Sequence, residues 1–193
     1  MTQPSLLPDK NVRFRCLPDS VDGLPFLSML FTVLSLTAAL ILVLPALNWI
    51  SYRVMGGIIR KRRAVWDLNI CCGKTDGGGI NVDIVKHADV PNLVVVDDVY
   101  HLPFSTRQFE HTLCSHTIEH VEDPVAFFEE LRRVSGEVTL VVPPLWDLSA
   151  ALNIFEHRTL FLTFRKEHHT LPPHVALPFA RKLQERVGQK IRA

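Results

Sequence analysis

From Leu24 to Tyr52 the chain has no charged residue. A helix that buries one face in a soluble core shows polar residues on the other, and a core helix is usually shorter. A secretory signal has a shorter apolar region, a basic start close by and a small-residue cleavage site. Neither pattern fits Phe26 to Leu47, which is almost wholly apolar, and roughly 20 such residues cross a bilayer core. The stretch 24–52 therefore reads as a transmembrane helix, with Pro45 near its end and Trp49 and Tyr52 as interfacial aromatics. Other features are also scarce. The formal net charge is only +1 over 193 residues, which argues against a nucleic-acid partner. Four cysteines (Cys16, Cys71, Cys72, Cys114) form no C-x-x-C pair and no disulfide framework, so reduced thiols in a cytosol-like compartment are expected. There is no internal repeat, no low-complexity tract and no full G-x-G-x-x-G pattern.

The flanks of the apolar stretch differ. Before it, Lys10, Arg13 and Arg15 are balanced by Asp9, Asp19 and Asp22 in a polar segment, 1–23, that carries three prolines. After it, Arg53, Arg60, Lys61, Arg62 and Arg63 meet no acid until Asp67. Basic residues stay on the cytoplasmic side, so residues 53–64 read as a basic juxtamembrane linker. The chain beyond residue 64 is then expected on the cytoplasmic or matrix side of a single-pass membrane protein. The same cluster would attract anionic headgroups, although an ordinary stop-transfer flank accounts for it too.

The charged part of the chain is organised around Val65 to Asp83, VWDLNICCGKTDGGGINVD. An apolar run breaks into a glycine turn, crosses Gly77 to Gly79 and enters a second apolar run that ends in Asp83. In an open α/β sheet this is how a nucleoside pocket is presented, with a carboxylate at the tip of the second strand for ribose hydroxyls. Strands are expected at 65–71, 80–84, 93–97, 110–115 and 137–142. A helix is expected over 123–134, with Asp123 as cap, Pro124 in the first turn and Val125, Phe128, Leu131 and Val134 as its packing stripe. This alternation predicts a mostly parallel sheet. Only nine residues separate Gly73 from Asp83, too few for a crossover helix. Beyond Pro144 the pattern weakens. Leu148 to Phe155 reads as helical and Thr159 to Phe164 as a strand. Residues 176–193 read as a basic amphipathic helix with Ala180, Leu183, Val187 and Ile191 on one side. That helix suits either a membrane surface or packing on its own domain.

From Val65 to Pro144 the chain resembles the class I S-adenosylmethionine-dependent methyltransferases, in their compact type 11-like branch. The resemblance rests on Leu68-Asn69-x-Cys71-Cys72-Gly73, Gly79-x-Asn81-Val82-Asp83, Asp98-Val99 with Leu102-Pro103-Phe104, Phe109-Glu110, and Ser115-His116-x-x-Glu119-His120 with Asp123-Pro124, in family order and spacing. It implies a compact Rossmann-like α/β fold over 65–175, preceded by the one transmembrane helix, and S-adenosylmethionine as cofactor. By position, Asn69, Cys71 and Gly73 would hold its methionine part and Asp83 its ribose. Asp98 and Val99 would hold the adenine, and Ser115 would lie in the closing loop. His116 would be the general base, or else only a hydrogen-bonding partner of that loop. The chain departs from the family at Cys71 and Thr75, where glycine is usual, at Glu110, and in the shortened turn Arg133 to Gly136.

His116 to His120 also satisfies H-x-x-E-H, a zinc-peptidase pattern in which two histidines share a helix face. Here the segment follows a strand and no third ligand is signalled, so no metal is assigned. Two readings of function result. The chain is a membrane-anchored methyltransferase acting on a small or lipid-like acceptor near the bilayer. Alternatively it is a catalytically inactive, methyltransferase-like accessory subunit of a membrane protein complex, docked through Ser35, Thr37, Ala38 and Ala39.

Overall fold

The computed structural model describes residues 24–187; the polar segment 1–23 and residues 188–193, including the expected stripe residue Ile191, lie outside the described residues. The chain divides into two units, one ending at Leu40 and the other beginning at Ile41. Among the described residues the first unit is entirely helical. It belongs to α1 (Leu24–Trp49), which includes Pro45, and its Phe26, Phe31 and Leu36 side chains are exposed. With the turns after it, this is one helix long and apolar enough to cross a membrane.

In the second unit, α1 passes into a π-helical turn (Ile50–Met55) and then α2 (Gly56–Arg60). The expected linker is thus helical as far as Arg60. Its Ile59 is buried with Trp66, Leu113 and Val141, and the Trp66 indole donates to the Arg60 carbonyl at 2.9 Å. The sheet contains β1 (Trp66–Ile70), β2 (Gly78–Asp83), β3 (Leu93–Val95), β4 (Phe109–Ser115), β5 (Ser135–Val141) and β7 (Glu167–His168), in the order β3-β2-β1-β4-β5-β7. All pairs are parallel except β5 with β7. This is the Rossmann-like, mostly parallel α/β fold expected from the sequence. The register aligns Val82, Ile70, Cys114 and Leu140 across one face, and Asn81, Asn69, Leu113 and Thr139 across the other.

Only β4 and β5 are joined through a long helix, α3 (Pro124–Val134). Asp123 caps it, accepting from the Val125 and Ala126 amides. One member of the expected stripe is wrong. Val125 is exposed, whereas Phe127 is fully buried beside Phe128, Leu131 and Val134. The first helical turn begins at Pro124, so the sheet-facing positions fall at Phe127 and Phe128, which lie four and three residues before Leu131. The last turn of α3 ties down the loop before β4. The Glu130 carboxylate accepts from Leu102 N at 2.6 Å and from the Arg133 guanidinium at 2.7 Å, and Arg133 also donates to the Leu102 and Phe104 carbonyls.

The β1–β2 connection has no helix. Its backbone groups turn instead to two buried amides. Asn69 Nδ2 donates to Thr75 O and to Asn81 Oδ1, both at 2.9 Å, and Asn81 Oδ1 accepts from Gly77 N. Asn81 Nδ2 reaches Asp76 and the Pro91 carbonyl, so the same side chain also secures the β2–β3 return. The glycine triplet serves this packing: a Cβ on Gly79 would lie 2.6 Å from the Asp67 carbonyl oxygen, and one on Gly77 would lie 2.6 Å from Asn69 Cβ.

Past β5 come α4 (Leu148–Ala151), shorter than expected, and β6 (Thr159–Phe161), which pairs with β8 (His174–Ala176) outside the main sheet. The final element, α5 (Pro178–Val187), buries Ala180 and Gln184, while Val187 of the expected stripe is exposed. Gln184 takes the inward place because its amide donates to the carbonyls of Ile154 and His157.

Gly79→Ala should lower stability by about 1–3 kcal/mol, since two strands must part, whereas Gly57→Ala, with open space around it, should be neutral or stabilising by up to about 1 kcal/mol; thermal melts compare the two. Arg133 holds the Glu130 pKa below its usual value, so the pair contributes stability in full above the ordinary carboxylate range. That contribution fades as pH falls through the lowered value. Glu130→Gln should therefore cost about 1–3 kcal/mol near neutrality, and its gap to the parent protein should close below roughly pH 4 in denaturant titrations.

Candidate functional site

In this strand order the chain reverses direction across the sheet between β1 and β4, and a crevice opens outside the carboxyl ends of such a pair. Each strand is followed at once by a residue held in the left-handed region, Cys71 at φ 49° and His116 at φ 56°. Most of the expected cofactor residues gather at this end of the sheet. Asp83, at the tip of β2, is buried. Its Oδ2 accepts from Gly73 N at 2.7 Å and its Oδ1 from Ile84 N at 2.8 Å, so the carboxylate is fixed with lone pairs to spare. Gly73 is itself left-handed, and a Cβ there would meet nothing within 4 Å. A buried acid and an open glycine side by side suit the ribose and methionine parts of a nucleoside sulfonium.

Other residues fit less directly. Asn69 is buried and its NH2 group is committed to the crossover described above. Val99 is a core side chain. Asp98 is half exposed and bonds Tyr100 N and His101 Nδ1, each at 2.7 Å. Ser115 closes β4 opposite Val141. At Cys71, burial and then the Asp83 charge push the thiol well above its usual range, so it is a neutral side chain rather than a nucleophile.

Beyond His116 lies a cleft of about 360 Å³, lined in part by Asn48, Tyr52, His116, Glu119, Asp147 and His157. A buried chain of polar groups crosses it. Lys166 Nζ lies 2.8 Å from Ser51 Oγ and 2.9 Å from His116 Nε2, and His116 Nδ1 lies 3.2 Å from Glu119 Oε1. An ammonium can only donate, so His116 Nε2 accepts from Lys166 and the Nδ1 proton points to Glu119. Burial opposes ionisation of Glu119, yet the hydrogen bond from His116 and the neighbouring imidazoles of His116, His120 and His157 bring its pKa down to about 2. Burial lowers Lys166 to about 8, against the pull of Asp147 and Glu119. Lys166 can thus give up its proton a little above neutral pH, at the atom that faces His116 Nε2, while Glu119 stays ionised. The Tyr52 ring stands 5.3 Å from the His116 ring, and the Asn48 amide reaches Asp147 at 3.3 Å.

Sequence reasoning missed Asn48, Ser51, Tyr52, Asp147, His157 and Lys166. Tyr52 read as an interfacial aromatic. The π-helical turn that brings Ser51 and Tyr52 here has no pattern of its own, and His157 and Lys166 belong to the weakly patterned region after Pro144. Only the H-x-x-E-H spacing marked the neighbourhood.

Residues 76–137 match the family described as a methyltransferase domain, about a third of the chain. No curated protein matches. Among solved structures, a SAM-dependent methyltransferase of Thermotoga maritima is similar at 14% identity and a TM-score of 0.44, over 73% of this chain and 74% of that one. A SAM-dependent methyltransferase of Aquifex aeolicus gives 13% and 0.37, over 49% and 66%. A Haloferax volcanii complex between a methyltransferase activator and a protein described as a methyltransferase gives 17% and 0.37, and this chain spans 52% of the matched chain, about half. The methyltransferase-domain match over 76–137 lies on this Rossmann-like sheet and implies S-adenosylmethionine as the cofactor.

Proposed function

We propose that this protein is a membrane-anchored S-adenosylmethionine-dependent methyltransferase that acts on a small or lipid-like acceptor. The observation that carries the anchored reading is the origin of the cleft wall. Asn48 directly follows the apolar run that ends at Leu47, Tyr52 lies four residues further on, and both line the cleft. An acceptor held against them is held by the same helical segment that would enter the bilayer. The basic residues Arg53 and Arg60 to Arg63 then favour the cytoplasmic or matrix side for the catalytic unit.

Bound S-adenosylmethionine supplies the methyl group and its leaving group. The chain's own residues supply position. Asp83 would accept the ribose hydroxyls, and Gly73 with Cys71 would border the methionine part. Asp98 and the Val99 backbone would border the adenine, and Ser115 would close the near side. His116 would take the acceptor's proton at Nε2 once Lys166 moves off that atom or gives up its own proton, while Glu119 holds the ring by Nδ1.

The test is calorimetric titration of the full chain in nanodiscs with S-adenosylmethionine and its demethylated product. Binding in the micromolar range is expected, and Asp83→Ala should weaken it by at least about tenfold, one charge-assisted hydrogen bond's worth. A folded protein that binds neither compound would overturn the enzyme reading. It would favour the inactive accessory subunit of a membrane complex, docked through the small-residue patch Ser35 to Ala39. Anchoring is checked separately: the full chain should resist alkaline carbonate extraction from membranes, and a chain beginning at Arg53 should be released.

A further inference from the structure

We propose that Glu119, His120 and His157 form a binding site for one divalent transition-metal ion at the floor of the cleft. One donor atom from each lies within 4.8 Å of the other two. Zinc bonds of about 2.0–2.1 Å set tetrahedral donors roughly 3.4 Å apart, so side-chain rotations of an ångström or so complete the set.

Each residue is prepared for this role. Glu119 is 1% exposed, and His116 satisfies its Oε1, but its Oε2 has neither a hydrogen-bond partner nor solvent among the described residues. A buried carboxylate oxygen left bare is costly, and a cation beside it removes the cost. His120 Nδ1 lies 3.0 Å from the Glu156 carbonyl, which can only accept, so Nδ1 carries the proton and Nε2 keeps its lone pair. Metal-bound histidines are oriented in this way by a carbonyl on the second nitrogen. His157 is 5% exposed and packs edge-on against His120, with ring centroids 4.8 Å apart, and no described residue hydrogen-bonds its ring nitrogens.

The backbone brings these residues together although 37 positions separate His120 from His157. The amides of Arg158 and Thr159 donate to the Glu119 carbonyl at 2.8 and 3.1 Å, and Gln184 of α5 holds the His157 carbonyl. The H-x-x-E-H spacing alone offered two histidines and a carboxylate without a third anchor. The fold replaces His116 with His157 and leaves His116 as the partner of Glu119 Oε1. Two imidazoles and one carboxylate select a first-row transition metal over magnesium or calcium, and the remaining coordination position faces the cleft and its acceptor. Metal binding is measured without turnover, so the site stands or falls independently of methyl transfer.

The experiment strips the full chain in detergent with a chelator, confirms folding by its thermal melt, and reloads it with Zn2+ and, separately, with Co2+. One zinc per chain is expected by elemental analysis, together with a cobalt absorption spectrum of tetrahedral or five-coordinate type. Zinc affinity should fall at least about tenfold in His120→Ala and in His157→Ala, and should be unchanged in His169→Ala. Substoichiometric zinc on the folded parent protein would overturn the proposal even if a variant failed to fold. Zinc that survives His157→Ala would also overturn it, as would zinc that is lost instead with His111→Ala, which disrupts the half-exposed group of Asp67, Glu110 and His111.

Discussion

Parallel strands are normally joined by a helix that packs on the sheet and satisfies its own backbone, and here β1 and β2 are joined by seven residues, Cys71 to Gly77. Lys74 to Asp76 of that return are exposed, but Cys72 and Gly77 are buried, and the backbone groups that turn inward must find partners. The buried amides of Asn69 and Asn81, adjacent in register, provide those partners. An amide both donates and accepts, so a pair of them can bond each other and still serve two passing segments. Much of the site depends on this. With the return held close, Gly73 N reaches Asp83, and the carboxylate that would bind ribose is fixed by the connection that replaced the helix.

On the other side of the switch point the organising element is the helical segment from Asn48 to Arg60. Ile59 seals one face of the sheet, Ser51 receives the buried Lys166, and Tyr52 stands over His116. A π-helical turn carries an extra residue per turn and so redirects side chains that an α-helix would send elsewhere; such turns recur at functional sites. The result joins a hydrophobic segment and a polar network without a linker between them.

Much of this was legible in the sequence. β2, β3 and β4 begin or end within two residues of their expected bounds, because short apolar runs bounded by glycine or acidic residues have few other uses. The cap at Asp123 was legible for the same local reason. The α3 stripe was off at Val125, since period alone does not say whether Val125 or Phe127 faces the sheet. Cys71, Gly73, Asp83 and Ser115 lie at the carboxyl ends of β1, β2 and β4 because the motif is ordered along the strands. The cleft was not legible. Its lining comes from Asn48, His116, Asp147 and His157, with Lys166 bonded behind His116, and these residues are spread across the chain and joined by tertiary contacts that leave no periodic trace. Asn69 shows the opposite difficulty: its place in the motif suggested a ligand, and its bonds serve the crossover.

The left-handed backbone at Cys71 has a further consequence. A non-glycine residue in that region costs of order 1–3 kcal/mol, and active sites often carry such strain at the expense of folding. Ordinarily evolution faces a trade-off there, since relieving the strain spoils the geometry that chemistry needs. At Cys71 the two pressures point the same way. Glycine at this position would relax the backbone and remove the side chain that stands where the resembled family keeps space for its cofactor. The strained turn itself does not require this side chain, so whatever Cys71 contributes lies in its thiol or its bulk and not in its backbone.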